Sequence, residues 1–131
     1  MFIDASVIVA IIAQEDDWRS LSIRLSQAKR AYVSPLSVWE AVVGLVRQAT
    51  IPFEDAEDLV TRFVEEAQAQ SIQINATIGR EALQASRRFG RGRHAAGLNF
   101  GDCFAYACAK AYRVPLLFKG DDFSRTDIEV A

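Results

Sequence analysis

Met1-Phe2-Ile3-Asp4-Ala5-Ser6-Val7-Ile8-Val9-Ala10-Ile11-Ile12-Ala13 opens the chain with two apolar runs separated by one acid. Residues 1 to 5 form a short apolar run ending in an acid, the pattern of a strand buried on both faces. The apolar stretch behind it predicts a helix through about Ala13. A strand that feeds straight into a helix is the first half of a parallel crossover unit.

The pattern then repeats along the chain. A helix is expected from about Asp16 to Ala28, with Trp18, Leu21 and Leu25 on one stripe, and a second strand from Arg30 to Ser34. Ser34-Pro35 opens the next helix with a capping hydroxyl and Pro at the first helical position, and Ile51-Pro52 stops it. Glu54 to Gln70 reads as an amphipathic helix and Ser71 to Asn75 as a third strand with alternating Ile72 and Ile74. A helix over about Ile78 to Phe89, an Arg- and Gly-rich loop over residues 90–97, and a helix from Asn99 to about Tyr112 follow. Val114 to Phe118 is the fourth strand, and Ile128 to Ala131 a short fifth. These elements predict an α/β class, one domain over residues 1–131, with a four- to five-stranded parallel sheet covered by helices on both faces.

Composition narrows the setting. Half of the 131 residues are apolar and 24 % are charged, as in ordinary globular chains, and the formal net charge of −2 argues against coating nucleic acid by bulk charge. Cys103 and Cys108 stand about 140° apart on a helix, so free buried thiols in a reducing compartment are expected. The first apolar run lacks the basic start of a signal peptide, and no run reaches membrane-spanning length. A cytoplasmic protein, away from membranes, is the expectation.

Chemistry concentrates in acids at the ends of apolar runs: Asp4, Glu40, Asp102, and the pair Asp121 and Asp122. In a parallel sheet, ligands gather beyond the carboxyl ends of the strands. Asp4, Glu40 and Asp121 fall at that edge by topology; Asp102 joins them if the Arg-rich loop returns the chain there. Each acid also has a structural reading. Asp4 fits a helix cap, Ser37-x-x-Glu40 a capping box, Asp102 the first turn of a helix and Asp121-Asp122 a turn. Yet Asp4 follows Met-Phe-Ile, and Glu40 lies between Trp39 and Ala41-Val42-Val43, company that a solvated cap does not need. Gathered carboxylates repel unless a hard cation sits among them, which points to Mg²⁺ or Mn²⁺.

The motifs Met-Phe-Ile-Asp4-Ala-Ser6, Glu40 in the third helix, Gly101-Asp102-Cys-Phe-Ala-Tyr-Ala, and Leu-Leu-Phe-Lys-Gly-Asp121-Asp122-Phe-Ser-Arg-Thr-Asp resemble PIN-domain ribonucleases, specifically VapC toxins of toxin–antitoxin pairs. The resemblance spans the chain. It implies a Rossmann-like domain and an endoribonuclease dependent on Mg²⁺, with Mn²⁺ able to substitute. It maps the acidic quartet onto Asp4, Glu40, Asp102 and a fourth acid chosen among Asp121, Asp122 and, more remotely, Asp127, with Asp121 preferred for its place nearest the strand end. Ser6 corresponds to a hydroxyl supporting the metal's water shell. Water attack leaving 5′-phosphate and 3′-hydroxyl ends, a cognate VapB-type antitoxin and a homodimer are further implications.

The residues themselves add a basic segment. Arg87, Arg88, Arg91 and Arg93, with the single His94, form a phosphate-contacting candidate for RNA beside Asn99 and Asp102; the alternative is a solvated helix end. Arg47 and Lys119 are weaker candidates. Other classes lack their marks. A haloacid-dehalogenase phosphatase needs an acid where Ser6 stands, a receiver domain an acid where Asn75-Ala-Thr stands, and dinucleotide binding a Gly-x-Gly-x-x-Gly motif. A non-catalytic module binding RNA or an antitoxin is the remaining alternative.

Overall fold

The computed structural model describes residues 1–131. Four two-residue strands, β1 (Phe2–Ile3), β2 (Tyr32–Val33), β3 (Gln70–Ser71) and β4 (Leu116–Leu117), form a parallel sheet in the order β3-β2-β1-β4. Phe2 is in register with Tyr32 on one side and Leu116 on the other. The expected fifth strand shrinks to a single bridge between Leu116 and Val130, where the Leu116 N–H donates to Glu129 and the Ala131 N–H to Leu116. No helix is long and apolar enough to cross a membrane.

The pleat divides the core. Phe2 and Leu116 face one apolar cluster with Ile78, Phe89 and Tyr106, whereas Ile3 and Leu117 face a second with Val7, Ile8, Leu45 and Val60. Central strands with both faces covered need apolar residues at every position, which is why the strand runs do not alternate. The third strand forms one residue earlier than its Ile72 and Ile74 alternation suggests. Its ladder ends where the Ile72 N–H donates to Val33 at 2.9 Å, and Asn75 already caps the next helix.

The helices are α1 (Ala5–Ile12), α2 (Trp18–Ser26), α3 (Pro35–Ala49), α4 (Phe53–Glu66), α5 (Ala76–Phe89) and α6 (Phe100–Tyr112). Ser34 caps α3 and shares a reciprocal box with Ser37, the third helical residue. This corrects the Ser37-x-x-Glu40 capping box: the helix starts before Ser37, and Glu40 already lies on its second turn. Glu40 is therefore released from any capping role.

The chain switches direction across the sheet between β1 and β4, since β2 and β3 lie on one side of β1 and β4 on the other. Such a switch point opens a crevice at the carboxyl edge. The Arg-rich loop supplies the return that Asp102 requires. Its two ends are pinched together by the Leu98 N–H donating to Phe89 at 2.9 Å and the Arg91 N–H to Leu98 at 3.1 Å, so α6 starts next to where α5 finishes.

Candidate active site

Asp4 sits at the switch point, buried, and caps α1. Its Oδ2 accepts the Ser6 backbone N–H at 3.0 Å and the Ser6 hydroxyl at 2.5 Å. Ser6 Oγ in turn accepts the Lys119 backbone N–H at 3.1 Å, just past β4. This relay ties β1 to β4 through the acid, and the capping reading of Asp4 holds. Burial pushes the Asp4 carboxyl up from its ordinary range, opposed by the Ser6 hydrogen bonds.

Glu40 reaches the same place from α3. Its carboxyl lies so close to Gly101 that a Cβ built there would stand 2.0 Å from Oε2 and 2.5 Å from Cδ. Only glycine at the start of α6 leaves that space. Burial, then the neighbouring charges of Asp4 and Asp102, raise the Glu40 pKa to about 7. Asp102 forms a capping box with Asn99: its Oδ2 accepts the Asn99 N–H at 3.0 Å, and Asn99 Oδ1 accepts the Asp102 N–H at 2.9 Å. Its pKa rises to about 6, through burial first and the Asp4 and Asp122 charges, with the Asn99 N–H and Arg91 opposing.

These three acids line one polar cleft of about 320 Å³ together with Ser6, Glu15, Gly44, Arg47, Asn99 and Lys119. Sequence reasoning missed two of its features. Glu15, between the first two helices, enters the cleft paired with the Lys119 ammonium, which Asp17 also approaches at 3.2 Å. Gly44, one turn beyond Glu40, keeps the α3 wall low against Val9. A larger cavity of about 860 Å³ between α5 and α6 is mostly apolar and receives none of Asp4, Glu40 or Asp102.

Of the candidates for a fourth acid, the preferred Asp121 and its neighbour Asp122 both lie just past β4. Neither Asp121 nor Asp122 lines the cleft, and both are exposed, but it is the Asp122 charge that bears on Asp102. Asp127 lies elsewhere: it accepts the Tyr106 hydroxyl at 2.6 Å and pairs with Arg88 at 3.4 Å and Lys110 at 3.3 Å. The basic segment also divides. Arg91 is close enough to oppose the shift at Asp102, whereas Arg88 is held by Asp127 and lies over the Phe89 ring. Arg87 and Arg93 border a separate shallow pocket by Leu83. His94 is a turn-former, with Nδ1 accepting the Ala96 N–H at 3.0 Å and its ring edge-on to Phe89.

The donor set suits a hard divalent cation. Three carboxylates share a cleft in which burial and mutual repulsion disfavour their charge, and a cation would remove that penalty. They do not close into a compact cage of three ligands.

With this parallel α/β sheet and its acidic cleft in place, the PIN domain model matches residues 1–129. The chain belongs to that family, and its relatives place it among the VapC ribonucleases. It is 41 % identical to a VapC ribonuclease of Rhizobium meliloti strain 1021, over 97 % of this chain and 98 % of that protein. In fold it is similar to the Mycobacterium tuberculosis toxin VapC20, described as cleaving the sarcin–ricin loop, with a TM-score of 0.77 at 16 % identity over 99 % and 97 % of the two chains. It is similar also to a chain of the VapBC-1 structure from nontypeable Haemophilus influenzae, with a TM-score of 0.74 at 15 % identity over 99 % and 95 %.

Proposed function

We propose that this chain is the toxin of a VapBC-type pair, an endoribonuclease dependent on Mg²⁺ or Mn²⁺. The observation that carries the reading is the meeting of Asp4, Glu40 and Asp102, from three separate elements, in one cleft where their charges are disfavoured without a cation. A bound divalent cation would supply an activated water and screen charge developing on the scissile phosphate.

The chain's own residues set the geometry. Ser6 orients Asp4, Asn99 orients Asp102, and Gly101 gives the Glu40 carboxyl its seat. Asp122, whose charge reaches Asp102, is the fourth acid in this reading, in place of Asp121. No imidazole enters the cleft, so proton transfers fall to the carboxylates and water; attack of water at phosphorus with cleavage of the P–O3′ bond would leave 5′-phosphate and 3′-hydroxyl ends.

A VapB-type antitoxin is the proposed partner, since similar chains come from structures described as VapBC-1 and as a toxin–antitoxin complex. A homodimer is proposed as well, supported by the exposed apolar side chains Leu83, Trp39 and Phe100. Purified, antitoxin-free protein incubated with total RNA and Mn²⁺ should produce discrete cleavage that excess EDTA stops and fresh Mn²⁺ restores. Undiminished cleavage in EDTA contradicts the proposal; RNA binding without any cleavage favours the non-catalytic module.

A further inference from the structure

Of the two cations that border the acidic cleft, one is already taken. The Lys119 ammonium is held by Glu15 and Asp17. Arg47 is exposed and pairs with no carboxylate, and its charge bears on neither Glu40 nor Asp102. It shares one stripe of α3 with Glu40 and Gly44, two turns beyond Glu40 and about 10 Å along the helix axis at 1.5 Å per residue. Gly44, packed against Val9, lines the same cleft between the two.

An anionic strand entering a cleft with this many carboxylates meets repulsion along its length, apart from the phosphate at the cation site. A free guanidinium at the cleft's far end offsets that repulsion and can grip a phosphate with two parallel hydrogen bonds. We propose that Arg47 binds a backbone phosphate flanking the scissile one, fixing how RNA lies across the carboxylates. The inference rests on the RNA-cleaving reading above. It also replaces Lys119 as a candidate, because that ammonium would have to abandon two carboxylates to serve RNA.

The test compares Arg47→Gln and Arg47→Lys with wild type and with Arg62→Ala, an exposed arginine on α4 outside the cleft. Binding of a fluorescein-labelled, mixed-sequence, single-stranded oligoribonucleotide is measured at several salt concentrations in the Asp4→Asn background. Arg47→Gln should lower the salt slope by about one unit and weaken affinity, Arg47→Lys should keep the slope while recovering only part of the affinity, and Arg62→Ala should change nothing. In cleavage assays Arg47→Gln should raise KM far more than it lowers kcat. An unchanged slope and KM in Arg47→Gln, or equal losses in Arg62→Ala, overturns the assignment. If wild type cleaves no RNA, the functional proposal fails while the binding comparison still decides Arg47. Should Arg47→Gln not fold, Arg47→Lys decides: affinity equal to wild type at every salt concentration overturns the bidentate contact.

Discussion

Gly101 shows how far one residue's missing side chain can matter. In a helix, Ala is favoured over Gly by roughly 0.5–1 kcal/mol, so propensity alone recommends Gly101→Ala. The added methyl, however, falls on the Glu40 carboxyl, the mobile end of a flexible side chain that can swing away. We expect Gly101→Ala to keep its melting temperature to within a few degrees while losing cleavage on the order of 100-fold, as for a reacting group displaced by about 1 Å. Thermal melts paired with single-turnover cleavage measure both; full activity would mean the Glu40 position is not needed. The sequence displayed Glu40 as an anomaly among apolar neighbours, and that signal sufficed. It could not display Gly101 as its seat, because that depends on how closely α3 approaches α6.

At the scale of elements, helices were legible because caps and periodicity are local. Ser34-Pro35 announces α3, and Asn99 with Asp102 announces α6. Strands of two residues carry too little pattern to place their ends, so β3 moved and the fifth strand became one bridge. The Arg-rich segment read as one functional unit, but side-chain partners decide differently for each member. Arg88→Ala should cost the fraction of a kcal/mol typical of an exposed ion pair and leave RNA affinity unchanged. Arg91→Ala should weaken RNA binding, lower its salt slope by about one unit, and raise the Asp102 pKa further by removing an opposing charge. Salt-dependent binding of the two variants, side by side, checks the division; a slope change in Arg88→Ala alone would reverse it.

Across the whole molecule, acids that look alike in sequence serve different ends. Asp127 anchors the terminal segment through the buried Tyr106 hydroxyl, and this segment carries Ile128 into the core and Val130 to the sheet edge. Asp127→Ala strands that hydroxyl, so chemical denaturation should show a loss of about 1–3 kcal/mol while cleavage per folded molecule stays at the wild-type level. Lost cleavage at retained stability would return Asp127 to the list of site acids.

The proposed cation site has a consequence for the stability of the whole protein. Glu40 and Asp102 have folded pKa values of about 7 and about 6, above their ordinary values of 4.5 and 3.8. A raised carboxyl binds more protons folded than unfolded, so its stabilising effect is complete at low pH and is lost as pH rises through the folded value. Metal-free protein should therefore lose stability from about pH 3.8, where Asp102 begins to contribute, to about pH 7, and divalent cation should restore it at the upper end. The most direct test is calorimetric titration of Mn²⁺ into metal-free protein at pH 6 and pH 7.5, for wild type, Asp4→Asn and Glu40→Gln, with buffers of different ionisation enthalpy to count protons. Wild type should show saturable binding that tightens with pH and releases protons at pH 6, and both variants, whose amides keep shape and remove charge, should bind far more weakly. Absence of saturable binding in wild type, or binding that both variants retain, would contradict the proposed cation site.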